Sequence, residues 1–290
     1  MRVLVATDGS RDADEAVEWL VHFPLPADAT IDVASAIPRP IFDERVLPTP
    51  WSELEEQTRR VVEDARARLA KRWPAATGQI LHGDARSAIV DAATSGAADL
   101  IVMGARGLGA ITSLLLGSVS LGVARHAPCS VLVCRSAARP VTTVTVGLDG
   151  GTDAGAALTF FRDLPLSSGI VARLVGVVEP LRYPSSAPSF MSAALAAGLS
   201  EYENDRRREL DAVLADAAET LRWRVGRVVS VTPTGAPADV LLADAEAHHS
   251  DLIVVGARGV GGFKRLVLGS VSESVLRHAG CPVLIARPRG

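Results

Sequence analysis

The sequence predicts an α/β protein built as two tandem, doubly wound domains, each a parallel sheet with helices on both faces. Three observations lead there. Apolar runs of strand length alternate with longer amphipathic stretches of helix length. The runs are nearly continuous in Val, Ile and Leu instead of alternating with polar residues, as in strands covered on both sides. The whole series occurs twice in 290 residues, a length too great for one average domain of about 150 residues.

In the first domain, residues 1–138, strands are expected at 2–7, 31–37, 78–82, 99–104 and 130–134, with helices at 10–22, 51–73, 85–95 and 118–125. In the second, residues 139–290, strands are expected near 143–148, 170–178, 225–231, 251–256 and 282–286. The junction 136–140 is short and polar and ends in Pro140, too short to let the domains drift far apart. The copies register residue by residue: Gly83 with Gly235, Gly104 with Gly256, His126 with His278 and Cys129 with Cys281 share an offset of 152 residues. The opening signatures VLVATDGS, ending at Ser10, and VTVGLDGG, ending at Gly151, align at an offset of 141. The second copy therefore carries eleven extra residues between its first and third strands, placed around 180–198.

Composition narrows the function classes. A chain 48% hydrophobic and 22% charged, with net charge −3, shows no bias toward nucleic acid or a membrane surface. The first apolar run stops at Asp8 and no run reaches the roughly 18 residues of a membrane span, so a cytoplasmic protein is expected. Three cysteines without paired spacing argue against a disulfide framework and a zinc site; Cys129 and Cys281 read as small buried hydrophobes. Arg59-Arg60 and Arg206-Arg207-Arg208 are interleaved with Glu and Asp and read as solvated helix faces. The proline-rich stretches 38–50 and 180–188 read as surface loops.

The chemistry concentrates in two loops, GARGLGAITSLLLGS at 104–118 and GARGVGGFKRLVLGS at 256–270, each leaving a fourth strand. In an open parallel sheet ligands bind beyond the carboxyl ends of the strands, where strand order reverses. Gly104 and Gly107 let the backbone turn sharply and remove the Cβ that would hold a sugar or phosphate away. Gly117-Ser118 then opens a helix whose first N–H groups are unpaired at the positive end of its dipole. The spacing GxxG-x9-GS thus reads as an anion cradle, although turn chemistry and N-capping use the same residues. It is neither a Walker A loop nor a Rossmann fingerprint. Asp8 and Asp149, ending each first strand, read equally as caps of the following turn or as a general base or metal–triphosphate contact. His126 and His278 read as partners of helix-end carbonyls. Phe263-Lys264-Arg265 replaces Ile111-Thr112-Ser113 in the second loop, and the two cations suggest tighter triphosphate binding there.

VLVATDGS, the two GxxG-x9-GS loops and the endings HAPCSVLV and HAGCPVLI together resemble the universal stress protein family in its tandem form, over nearly the whole chain. The resemblance implies an adenine-nucleotide alpha-hydrolase-like fold with strand order 3-2-1-4-5 and an ATP site, with Mg2+ as companion, between strands one and four. It implies that Ala6, Thr7 and Asp8 line the base side while Gly104, Gly107, Gly117, Ser118 and Val119 hold ribose and phosphates. In the second copy the corresponding residues are Gly147, Leu148 and Asp149, then Gly256, Gly259, Gly269, Ser270 and Val271, with Lys264 and Arg265 added by their charge. Gly150-Gly151 replaces Gly9-Ser10, a departure that removes a possible N-cap. The family likeness also implies pairing through the last strands, here inside one molecule, with a homodimer of the whole chain. The expected output is regulatory: a non-enzymatic stress-response protein switching conformation or an unidentified protein partner with ATP. The alternatives are a slow ATPase or nucleotidyl-transfer enzyme, or a binder of AMP or another small anion.

Overall fold

The computed structural model describes residues 1–38, 51–108, 116–135, 139–181, 192–259 and 268–288. The expected loops at 39–50 and 182–188 and the junction residues 136–138 lie outside them.

The first half runs β1 (Arg2–Ala6), α1 (Arg11–His22), β2 (Thr30–Ile37), α2 (Trp51–Ala70), β3 (Thr77–His82), α3 (Ala85–Ser95), β4 (Leu100–Gly104), α4 (Ser118–His126) and β5 (Ser130–Cys134). The second repeats it as β6 (Thr143–Gly147), α5 (Thr152–Asp163), β7 (Val171–Val175), α6 (Ser192–Leu221), β8 (Arg227–Val231), α7 (Pro237–Ala247), β9 (Leu252–Gly256), α8 (Ser270–His278) and β10 (Val283–Ala286). Most boundaries fall within two residues of the sequence pattern, and two fall three residues short of it for identifiable reasons. Helix α2 stops at Ala70 instead of 73 because Arg72 and Trp73 turn away to hydrogen-bond carbonyls of Val21, Phe23, Leu25 and Pro26, and Pro74 follows. Strand β7 stops at Val175 instead of 178 because its neighbour β8 runs into Pro233, which has no N–H to continue the ladder. Helix α6 is 30 residues long against 20 for α2. The added turns, Ser192 to Tyr202, precede Glu203, the position aligned with Trp51, and so take up the extra residues of the second copy.

Within each half the parallel strands follow the order 3-2-1-4-5, and β5 pairs antiparallel with β10 (Val133 opposite Val283, Val131 opposite Ile285), giving one sheet of ten strands. β5 is buried throughout, so as an uncovered edge it would expose both apolar side chains and unpaired backbone; pairing removes both costs. Alternate residues of each strand serve opposite layers: Val3 and Val5 join the core under α1, α2, α5 and α6, while Leu4 and Ala6 join the one under α3, α4, α7 and α8. That is why the strands read as unbroken apolar runs.

The halves are also locked by charge. The Arg135 guanidinium donates to the Leu276 and Arg277 carbonyls at the end of α8, and Arg287 reciprocates on Ala124 and Arg125 at the end of α4. Each half thereby caps the other's last helix. Glu273 on α8 accepts from both Arg125 of α4 and its own neighbour Arg277 at 2.8 Å. Burial alone would raise its carboxyl pKa, but the two guanidinium hydrogen bonds outweigh that and hold it below the usual range. Arg208 pairs with Asp205 as a solvated helix face should, but Arg206 and Arg207 also donate to the carbonyls of Asp149 and Thr232, holding down loops of the second half.

Candidate functional site

Strand β1 ends at Ala6, and the chain turns through Gly9, whose φ of +75° only glycine adopts without strain. Thr7 Oγ1 accepts from the Gly9 N–H and Asp8 Oδ1 from the Ser10 N–H, while Ser10 Oγ caps α1 at Ala13. The loop leaving β4 is tied to this turn at three points. Asp8 Oδ2 accepts from the Leu108 N–H at 3.0 Å, and Ser10 Oγ donates to the Arg106 carbonyl at 3.1 Å. Arg106 reaches back with Nε and a terminal nitrogen to the buried carboxylate of Asp12, at 2.7 and 3.0 Å. Hydrogen bonding to that carboxylate raises the Arg106 pKa further, so the guanidinium keeps its charge. Ser120 Oγ donates to the Gly104 carbonyl at 2.8 Å and pins the start of α4 below the loop. Gly117 is the N-cap of α4 and offers no side-chain acceptor, so the first-turn N–H groups stay available at the positive end of the helix.

Between these elements lies a cavity of about 380 Å³. All eight residues expected in the first half line it: Ala6, Thr7 and Asp8 from the β1 turn, Gly104 and Gly107 from the loop, and Gly117, Ser118 and Val119 from the start of α4. Ala34, Ala36, Ile89 and Met103 join Ala6 in an apolar wall.

The glycines are explained differently from the sequence expectation. The missing Cβ of Gly104 points at α1, where it would stand 2.6 Å from the Asp12 carbonyl carbon and the Ala13 nitrogen. That of Gly107 points at the Asp8 carboxylate. Gly104 leaves room for α1 to pack on the end of β4 and Gly107 for Asp8 to pack on its loop, so in both cases the missing Cβ points at protein.

The second half repeats the frame. A Cβ on Gly256 would stand 2.5–2.8 Å from Asp153 and Ala154 backbone atoms and one on Gly259 2.6 Å from Asp149 Oδ2, Arg258 pairs with Asp153 at 3.0 Å, and Ser272 Oγ donates to the Gly256 carbonyl at 2.6 Å. Gly147 ends β6 and Leu148 follows it, Asp149 Oδ1 accepts from the Gly151 N–H at 2.8 Å, and Gly269 is the N-cap of α8, which Ser270 and Val271 begin. Gly151 caps α5 without a side-chain bond, the loss that Gly150-Gly151 foretold. Lys264 and Arg265 lie outside the described residues.

Asp12, Arg106 and Ser120, with Asp153, Arg258 and Ser272, were absent from the expected site. Their signals were legible: DGxxDA, GARG and GSVS each occur in both copies. His126 and His278 stand with Nδ1 at 2.8 Å from the Gly122 and Ser274 carbonyls, at the far end of α4 and α8 from the cavity side. Among the described residues no group of three or more His, Cys, Asp or Glu is placed to hold a metal ion, and no helix is long and apolar enough to cross a membrane.

The strand order, the reversal point between β1 and β4, and a glycine–serine helix start at that point define an adenine-nucleotide alpha-hydrolase-like α/β protein in tandem form. The model of the universal stress protein family matches residues 1–135 and again 140–287, and the chain belongs to that family. A universal stress protein of Mycobacterium tuberculosis is 29% identical over 315 residues, covering 98% of this chain and 94% of that protein. One of Mycolicibacterium smegmatis is 29% identical over 300 residues, covering 99% and 97%. Among solved structures, a universal stress protein of Archaeoglobus fulgidus superposes with a TM-score of 0.63 at 21% identity, covering 99% of this chain and 96% of that one. A functionally unknown protein of Pseudomonas aeruginosa gives 0.62 at 13% identity, covering 99% and 92%. These two likenesses show the fold.

Proposed function

We propose that the chain is a cytoplasmic, ATP-binding regulatory protein of the stress response, holding the nucleotide between β1 and β4 and changing its loops or its affinity for a protein partner accordingly. The observation that carries this reading is the two-sided cavity. One side is an apolar wall of Ala6, Ala34, Ala36, Ile89 and Met103, suited to a flat base. The other is the uncapped start of α4, where the first-turn N–H groups and the Ser118 hydroxyl would hold phosphates. The group therefore fits the residues present. Mg2+ would arrive with the triphosphate, bound mainly by phosphate and water. Gly256, Gly259, Gly269, Ser270 and Val271 would give the second half the same role, with a homodimer and an unidentified protein partner as further members of the assembly.

The Asp8 carboxylate is engaged on both oxygens by backbone N–H groups, which supports a positioning role over that of a general base and hence a binding protein over an ATPase. ATP then acts only through its different affinity for two states of the chain. The test is to denature freshly purified protein and quantify released nucleotide by ion-exchange chromatography. ATP released from the wild type and reduced in a Gly107→Ala variant supports the reading. No nucleotide, with none taken up from added Mg-ATP, removes it, and AMP in place of ATP redirects it. Steady release of ADP from bound ATP on a timescale of seconds would move the protein to the enzyme class.

A further inference from the structure

We infer that the two nucleotide sites are unequal: the first half is the tight site, and the second is constricted on its base side by Val175, Val177 and Leu241. This rests on the ATP reading above. Strand register makes the comparison position by position. Ala6 pairs with Ala34 in the first half as Gly147 pairs with Val175 in the second, so the cavity-lining Ala34 and Ala36 correspond to Val175 and Val177. Helices α3 and α7 align throughout, placing Leu241 where Ile89 lines the cavity.

The second half is closely packed at the matching place. A Cβ on Gly147 would stand 3.1 Å from both Leu241 methyl carbons and 3.1 Å from Val255 Cγ1. The methyl that Ala6 presents to the first cavity has no counterpart in β6, where Leu241 and Val255 stand so close that an added methyl would force them to shift. Val175 and Leu241 are both buried in the core layer beneath α7 and α8. The polar side has changed as well. Thr7, whose hydroxyl accepts from Gly9, becomes buried Leu148, and Ser10, whose hydroxyl reaches the Arg106 carbonyl, becomes Gly151. A closely packed wall cannot yield to an inserted ring without displacing its own side chains. The charge of Lys264 and Arg265, taken alone, argues the opposite order; a misfit of one or two methyl groups in an apolar pocket is worth about tenfold or more in affinity.

The experiment is calorimetric titration of the full chain, stripped of nucleotide, with Mg-ATP. The wild type should show one tight event per chain and a second at least about tenfold weaker. Ala36→Val, at a partly exposed position that tolerates a larger side chain, should weaken the tight event and leave the weak one. A Val175→Ala/Leu241→Ala double variant should strengthen the weak event toward the tight one. Two events of equal affinity in the wild type overturn the inference while leaving the ATP reading intact, and so does a tight event untouched by Ala36→Val. No heat and no retained nucleotide in any variant overturns both together. If the double variant fails to fold, the wild-type titration and Ala36→Val decide the matter alone.

Discussion

Gly104→Ala adds one methyl group at the end of β4, and the structure fixes where it goes. Its carbon would lie 2.6 Å from the Ala13 nitrogen and the Asp12 carbonyl carbon, and 2.8 Å from the Asp12 oxygen. Ordinary carbon contacts are about 3.5–4.0 Å, so β4 and α1 must separate by about 1 Å. The obstructing atoms are backbone, which no rotamer change can move. The first turn of α1 is further held by the Ser10 cap and the Asp12–Arg106 pair. Overpacking costs about 1–3 kcal/mol, and an unyielding backbone places this change near the top, at about 3 kcal/mol. For a unit of this size that is a fall in Tm of roughly 6–12 °C. Scanning calorimetry is the assay, because two joined halves need not melt as one transition. Gly155→Ala, in helix α5 with nothing within 4 Å of the added carbon, is the matched control and should stabilise by up to about 1 kcal/mol. A Gly104→Ala protein melting with the wild type would refute the packing account and return Gly104 to a purely ligand-facing role. Gly256→Ala should repeat the effect through Asp153 and Ala154.

Three further outcomes are expected. Arg106→Ala leaves the buried Asp12 carboxylate without its guanidinium partner and frees the β4 loop; it should cost about 2 kcal/mol in denaturant unfolding and also lower nucleotide retention, whereas Arg11→Ala, an exposed pair, should change neither measurably. Burial pushes the Cys129 thiol up to about 12 and Cys281 up to about 11, the latter despite nearby Arg139 and Arg135, and Cys134 also upward. A raised folded pKa means that the native state keeps its protons longer than the unfolded one. Stability is therefore full below the ordinary thiol value near 9 and declines as pH rises from there to about 11–12. Iodoacetamide at pH 8 should label none of the three thiols until the chain unfolds, and rapid native labelling would contradict their burial.

Much of the fold was legible because the inner strands β1, β4, β5, β9 and β10 are apolar on both faces, while the edge strands β3 and β8 are exposed or half-buried. Helix α3 and strand β5 match the expected ranges residue for residue. Departures came where a distant partner set the boundary, as Val21, Phe23 and Leu25 did in drawing Arg72 out of the line of α2. The candidate site was legible as a set of glycines, serines and aspartates but not as a geometry. Asp12 and Arg106 are 94 residues apart, and nothing in either neighbourhood announces a buried ion pair except that both copies keep it.

The sequence by itself determined the tandem repeat, the α/β class and the turns at which a ligand site would form, because periodicity and glycine placement are local properties of the chain. Only the tertiary structure decided that Gly104 faces a helix, that Asp8 spends both oxygens on backbone N–H groups, and that Leu241 lies against Gly147 where the first half has an open cavity. Those facts depend on which surfaces meet across long sequence separations, and close packing fixes that only when the whole core assembles.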